Sequence, residues 1–248
     1  MTKIPGCRPR TYDTFFPGPL LGIDEVGMGC LAGPVCVAGV VLPPDDGVLT
    51  ALEKAGLRDS KEMSEGARER CFEIIDKYAI WKRALMRHPR EIEETNLYVA
   101  VNDLCSEIIR DVLLTLGGVT VIIDGPQRAA VPYTHQGIVR GDGKSLTIAA
   151  AATYAKVTRD HFMLELAAAY PGYDWENNKG YPSVSHKAGL ELLGVTDAHR
   201  LNTKPIIKLI AELKVAPSLG GVSRSAPLPS ASERPLAGVG PPRGTPRG

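Results

Sequence analysis

The sequence lacks any paired-cysteine pattern. Its five cysteines (Cys7, Cys30, Cys36, Cys71 and Cys105) are an odd number, scattered, with no C-x-x-C spacing. That argues against a disulfide framework and a zinc knuckle, and makes a reducing compartment, the cytoplasm, the expected location. No secretory leader is visible: the first twenty residues carry Lys3, Arg8, Arg10 and several prolines but no apolar stretch. The most apolar run, Leu31 to Leu42, is twelve residues broken by Gly33, Pro34 and Gly39, too short to span a bilayer, so no membrane partner is expected. Histidine is sparse, and His88, His135, His161 and His186 show no metal spacing. No Ser/His/Asp or Cys/His pattern suggests a covalent nucleophile. The 29 basic and 28 acidic residues leave a formal charge of +1, which argues against a protein that coats nucleic acid by bulk positive potential. A nucleic-acid enzyme with a local site stays open.

What is present is an ordinary globular composition, 44% hydrophobic and 23% charged over 248 residues. Composition changes after Lys214: residues 215–248 hold seven prolines, six glycines, no aromatic, and four arginines against one glutamate. Such a segment buries too little apolar surface to offset its ordering entropy and reads as a disordered tail. Residues 1–214 then carry 25 basic and 27 acidic residues, a slightly acidic domain. The expected division is an N-terminal extension over 1–19, a catalytic domain over 20–214 and the tail over 215–248.

Runs rich in Val and Ile that stop at Gly, Pro or Asp predict strands at about 20–26, 35–42, 79–87, 119–124 and 137–140. Helical patterns lie between and after them. Ser64 caps one through Tyr78, a second runs from Asn96 to Leu116 before Gly117-Gly118, and Ser145 caps a third through Ala169. Shorter helices are expected at 183–193 and 205–213. The order of elements argues for one α/β domain with a mixed sheet. Ala149 to Ala152 would let the third helix pack closely on it.

Three acidic positions lie at predicted strand ends beside glycine: Asp24-Glu25 in L-G-I-D-E-V-G-M-G, Asp124 in V-I-I-D-G-P, and Asp142 in V-R-G-D-G-K-S. Strand ends converge at one edge of a sheet, where ligand crevices form in α/β folds. Four carboxylates gathered there repel unless cations neutralise them, and hard oxygen ligands suit Mg²⁺ or Mn²⁺. Taken singly, Asp124 and Asp142 read more readily as turn residues than as ligands. Asp24 and Glu25, being adjacent, point to opposite faces of a strand. Both reach one metal pair only if the strand ends or bulges there, which Gly27 and Gly29 would permit.

The string from Gly22 to Val35, G-I-D-E-V-G-M-G-C-L-A-G-P-V, resembles the opening signature of ribonuclease HII. It is followed in that family's order by D-S-K (Asp59 to Lys61), I-D-G (Ile123 to Gly125), G-D-x-K-S (Gly141 to Ser145), I-A-A-A-x-x-x-A-K-V-T-R-D (Ile148 to Asp160), Y-P-G-Y (Tyr170 to Tyr173), K-G-Y-P (Lys179 to Pro182) and H-R (His199, Arg200). The resemblance implies a ribonuclease H-like fold, a five-stranded mixed sheet flanked by helices with a C-terminal helical portion. It also implies endonucleolytic hydrolysis of RNA in RNA/DNA hybrids, or cleavage 5′ of a ribonucleotide embedded in duplex DNA, leaving 3′-hydroxyl and 5′-phosphate ends. The family's metal-binding carboxylates fall on Asp24, Glu25, Asp124 and Asp142, which would hold two Mg²⁺ or Mn²⁺ ions. The expected form is a monomer.

By the same resemblance, the turn Gly27-Met28-Gly29 offers backbone groups to a 2′-hydroxyl, and Tyr181 packs against the next, deoxy, sugar. The family's usual motif there is G-R-G, and Met28 lacks the charge-assisted phosphate contact of an arginine. Lys61, Lys144 and Lys179, in matched motifs, are candidate phosphate contacts, followed by Lys156, Arg159 and Arg200. His199 is considered for a phosphate or a helix-end role, and Asp160 for pairing with a neighbouring base.

Overall fold

A computed structural model describes residues 9–215. The expected tail lies, beyond Val215, outside the described residues. In chain order the elements are α1 Pro9–Asp13, β1 Leu20–Val26, β2 Val35–Val41, α2 Asp46–Ala55, α3 Glu65–Tyr78, β3 Trp81–Arg87, α4 Pro89–Glu94, α5 Leu97–Leu116, β4 Thr120–Asp124, β5 Gln136–Ile138, α6 Leu146–Ala169, α7 Trp175–Asn178, α8 Val184–Leu193 and α9 Lys204–Val215. The sheet order is β3-β2-β1-β4-β5. β1, β2 and β3 run antiparallel, whereas β4 and β5 are parallel to β1.

The strands and longer helices stand where the sequence pattern puts them, and the caps show why. Ser64, Asn96, Ser145 and Ser183 each accept from the backbone N–H three residues on, at Ala67, Val99, Ile148 and His186. The pattern assigned nothing to α1, α2, α4 and α7. α2 nevertheless carries both of its terminal signals, Asp45 accepting from the N–H of Val48 and Gly56 in the left-handed region.

Strand alternation sorts the core into two layers. Leu21 and Ile23 of β1 join Val37 of β2 and Ile123 of β4 against Val101, Leu104 and Ile108 of α5. On the other face Val40 meets Ala149 and Ala150 of α6, while Cys36 and Ala38 meet Ala155. Gly22 lies on the α6 side: a Cβ there would stand 2.6 Å from the backbone carbon of Thr147. The small residues of β1 and α6 thus set the close approach of strand and helix. Residues 9–19 pack on this body. Tyr12 and Phe16 cover Leu20, Ile122, Ile138 and Ile148, and Asp13 accepts from the N–H (2.9 Å) and hydroxyl (2.8 Å) of Thr147. That adds a second cap to the helix entered from the Asp142 loop.

Candidate active site

The β1, β4 and β5 strands are neighbours and parallel, so their C-terminal ends form one edge. Asp24 and Glu25 lie near the end of β1, Asp124 closes β4, and Asp142 sits in the loop between β5 and α6. That loop turns back through Arg140, whose φ of 56° is left-handed, and its Gly141 N–H donates to Asp124 at 2.5 Å. Burial, Asp124, Glu25 and then Asp142 push the Asp24 carboxyl well above its ordinary range, against one hydrogen bond from the Glu25 N–H at 2.7 Å. Burial raises Glu25, with Arg128 opposing and Asp124 adding to the rise. Asp142 is raised by burial, Asp124 and Asp59, and lowered by Lys61.

The strand does not bulge at Asp24-Glu25. Its pairing with β2 continues through Glu25↔Val37 to Val26↔Cys36, and the chain turns only at Gly27, where φ is +92°. The two carboxylates therefore keep opposite faces. Asp24 shares the face of Gly22, towards α6, and Glu25 shares that of Ile23, towards α5. Glu25 is met there by the guanidinium of Arg128 at 2.7 Å. Among the described residues, no three Asp, Glu, His or Cys side chains already close on one point as a ready cage does. The donor set nevertheless fits hard divalent cations, being all carboxylate and destabilised by mutual repulsion that a cation relieves.

Beside this edge, Tyr181 meets the glycine turn. Its ring lies 3.8 Å from where a Gly29 Cβ would be, and it is 37% exposed. The two segments are stitched together: Leu31 N–H donates to Gly180 O (2.8 Å), Gly33 N–H to Ala198 O (2.8 Å) and Arg200 N–H to Leu31 O (2.8 Å). Met28 is half-buried and packs against the α5-side core. A cavity of about 650 Å³ lies elsewhere, lined by Phe16, Leu20, Leu42, Ile80 and Leu146 at the opposite end of β1.

A family model described as Ribonuclease HII matches residues 21–206. The chain belongs to the ribonuclease HII family. Members of this family are ribonuclease H enzymes, divalent-metal dependent and acting on nucleic acid. Ribonuclease HII of Geobacillus sp. (strain WCH70) is 38% identical over 196 residues, a match that takes in 77% of this chain and 66% of that protein, just under two thirds of its length. Ribonuclease HII of Enterococcus faecalis is 39% identical over 191 residues, covering 77% of this chain and 71% of its own. RNase HII of Archaeoglobus fulgidus, solved as a complex with PCNA, superposes with a TM-score of 0.61 at 25% identity, over 75% of this chain and 96% of that one. Bst-RNase HIII in complex with Mn²⁺ gives 0.61 at 14% identity, over 86% and 77%, and speaks for the fold alone. The mixed sheet and its flanking helices are the ribonuclease H-like fold.

In this chain the candidate basic residues separate into two groups. Lys61 and Lys144 are exposed near Asp142, and the Lys144 ammonium donates to Val139 O at 2.5 Å. Lys179 is half-buried, in the left-handed region at φ 52°, with its ammonium on Glu176 O. Lys156 pairs with Asp160 at 2.8 Å, as expected of Asp160. Arg159 and Arg200 are not surface contacts. Both are buried, and they donate inward: Arg159 to Pro34, Lys179 and Ala32 carbonyls, Arg200 to Gly33 O. The sequence pattern showed these arginines but not their direction. Gly27 has a second reason to be glycine, because a Cβ would stand 2.5 Å from Arg159 Nε.

His199 is buried too, which removes it from any phosphate. Its Nδ1 accepts from Thr196 N–H (2.9 Å), and its Nε2 faces His186 Nε2 at 3.3 Å. That fixes His199 as the Nε2–H tautomer donating to His186, which also accepts from the Trp175 indole N–H at 3.0 Å. The His186 Nδ1–H in turn donates to Tyr181 O at 2.9 Å, so the pair anchors the K-G-Y-P turn. Burial, then His186, lowers His199 from 6.5 to about 3. The unfolded chain charges this group below about 6.5 while the folded one does not, so its contribution is present above 6.5 and lost as pH falls towards 3. At pH about 5 the loss is about 2 kcal/mol. Ring ¹⁵N shifts of His199 are expected to stay those of a neutral imidazole at that pH, and a protonated ring in the folded protein would contradict the arrangement.

Proposed function

We propose that this chain hydrolyses the RNA strand of RNA/DNA hybrids and cuts 5′ of single ribonucleotides embedded in duplex DNA, leaving 3′-hydroxyl and 5′-phosphate ends. Its role would be removal of misincorporated ribonucleotides, by a cytoplasmic monomer whose catalytic unit spans 20–214. The observation that carries the reading is the electrostatic closeness of Asp24, Asp124 and Asp142 at one sheet edge, with Glu25 at the same end of β1 but on its opposite face, beside a glycine turn closed by Tyr181. Two Mg²⁺ or Mn²⁺ ions held by these carboxylates would supply the charge that activates the attacking water and stabilises the leaving 3′-oxygen. Mn²⁺ in the Bst-RNase HIII structure supports a cation on this fold.

The chain's own part is selection and placement. Of the Gly27-Met28-Gly29 turn, Gly27 is buried and Gly29 exposed, so backbone groups at its Gly29 end would meet a 2′-hydroxyl, the group that separates RNA from DNA. Tyr181 supplies an exposed ring face for the following sugar, braced from behind by Arg159, whose guanidinium lies 5.9 Å from the ring centroid. Lys61, Lys144 and Lys179 would meet phosphates along the strand. With Met28 half-buried against the α5-side core and carrying no charge, the turn would read by its backbone.

The test is a cleavage assay on duplex DNA with one ribonucleotide, on a continuous hybrid and on an all-DNA duplex, with Mg²⁺, Mn²⁺ or chelator. Cutting of the first two, only with metal, is expected. Metal-independent cutting, or equal cutting of the all-DNA duplex, would sink the reading.

A further inference from the structure

Glu25 is already in partnership. Arg128 Nη2 lies 2.7 Å from Glu25 Oε2, and both side chains are largely buried, at 12% and 18% exposure. The arginine is mounted for the purpose. It follows β4 on a loop clamped by Gln127, which takes His135 O and Gly137 N–H, and by its own N–H on His135 Nε2 at 3.3 Å. On the α5 side its Nη1 reaches Asn102 Oδ1 at 3.5 Å, while its Nε is buried with no hydrogen-bond partner among the described residues. A guanidinium so placed is bound mainly by one carboxylate, and a buried pair of this kind competes with any other cation for the same oxygens.

We infer that Arg128 is the resident counter-ion of Glu25, and that Glu25 must leave it before ligating a divalent cation. The inference rests on the reading of the four carboxylates as a metal site. Arg128 then serves two ends: it keeps Glu25 from adding its full charge to Asp24 and Asp124 in the metal-free protein, and it weakens the first binding of metal. An enzyme built this way loads its metal less tightly than its carboxylates allow.

Mn²⁺ binding to the full chain without nucleic acid, measured by calorimetry and by loss of the free-ion EPR signal, tests this. Removing one buried positive charge beside the site should tighten binding, so Arg128→Gln is expected to bind Mn²⁺ about tenfold more tightly than the parent. A loss of structure does not tighten a site. Glu25→Gln should weaken binding, and adding Arg128→Gln to it should restore much less than it gives alone. Should Arg128→Gln not fold, the parent itself answers: Mg²⁺ titration should shift the Arg128 guanidinium ¹⁵N resonance as Glu25 departs. Unchanged or weaker binding in Arg128→Gln, an equal gain in the Glu25→Gln background, or an unmoved resonance at metal saturation each overturn the inference. If the parent binds no Mn²⁺, or Asp24→Asn binds it as well as the parent, the metal-site reading itself fails.

Discussion

Asp24→Asn is expected to lower turnover by on the order of 10³-fold while leaving the metal-free protein as stable as the parent or more so. The two halves have one origin. Asp24 is buried, and its carboxyl is raised by that burial and by Asp124, Glu25 and Asp142. A carboxyl raised in the folded chain holds its proton more tightly there than when unfolded, so its ionised form costs stability at neutral pH. Asparagine has the same shape, carries no charge, and keeps an oxygen for the Glu25 N–H. A gain of about 1 kcal/mol would lift the midpoint by about 2–4 °C in a chain of this size. For catalysis, metal-borne charge stabilisation is worth several kcal/mol, and each 1.36 kcal/mol is tenfold in rate. The measurements are kcat on a continuous hybrid and thermal unfolding in chelator and in Mn²⁺. The parent should gain more from Mn²⁺ than the variant, since only binding to the folded form stabilises. A variant near full activity, or one markedly less stable in chelator, refutes the placement of Asp24.

The carboxylate edge was legible because its signal is local. An apolar run that ends in an acid beside glycine marks a strand end, as at Asp24 and Asp124, whereas Asp142, expected at a strand end, lies past Ile138 in the loop that returns to the same edge. The caps at Ser64, Asn96 and Ser145 were legible for the same reason. Short α1, α4 and α7 were not, since a helix of four to six residues is too brief for a periodic pattern to show. The regular course of β1 through Glu25 was also hidden. Gly27 and Gly29 permit a bulge but do not impose one, and continued pairing with β2 decided it. Arg128 belongs to none of the matched motifs, and only the loop geometry shows that it reaches Glu25. Arg159 and Arg200 were misdirected by a sound general rule. Basic residues mostly sit outside, yet a loop with many unpaired carbonyls is a competing destination for a guanidinium.

Arg159→Met is expected to destabilise the folded chain by about 3 kcal/mol and to damage substrate selection more than metal binding. The arginine is fully buried and donates Nε to Pro34 O (2.8 Å), Nη1 to Lys179 O (2.9 Å) and Nη2 to Ala32 O (3.3 Å). One planar fork thus ties the segment after the glycine turn to the K-G-Y-P turn. Methionine fills much of the stem's volume, so the main loss is three carbonyls left without that donor, at about 1–3 kcal/mol each. Relief of the guanidinium's own desolvation offsets part of this. The midpoint should fall by about 6–12 °C. Arg159→Lys should not rescue it, because a point ammonium cannot span three separated carbonyls as the fork does. Asp24, Glu25, Asp124 and Asp142 hang on the sheet and the β5–α6 loop, with no hydrogen bond to Arg159 among those of the described residues. Mn²⁺ affinity should therefore stay within about twofold, a change of less than 0.5 kcal/mol. At a temperature where the variant is folded, KM should rise for the single-ribonucleotide duplex, because Tyr181 and the Gly27-Met28-Gly29 turn no longer share a brace. An unchanged KM with a lowered midpoint would leave Arg159 a stability residue only, and lost Mn²⁺ binding would mean that the glycine turn and the carboxylate edge are one unit.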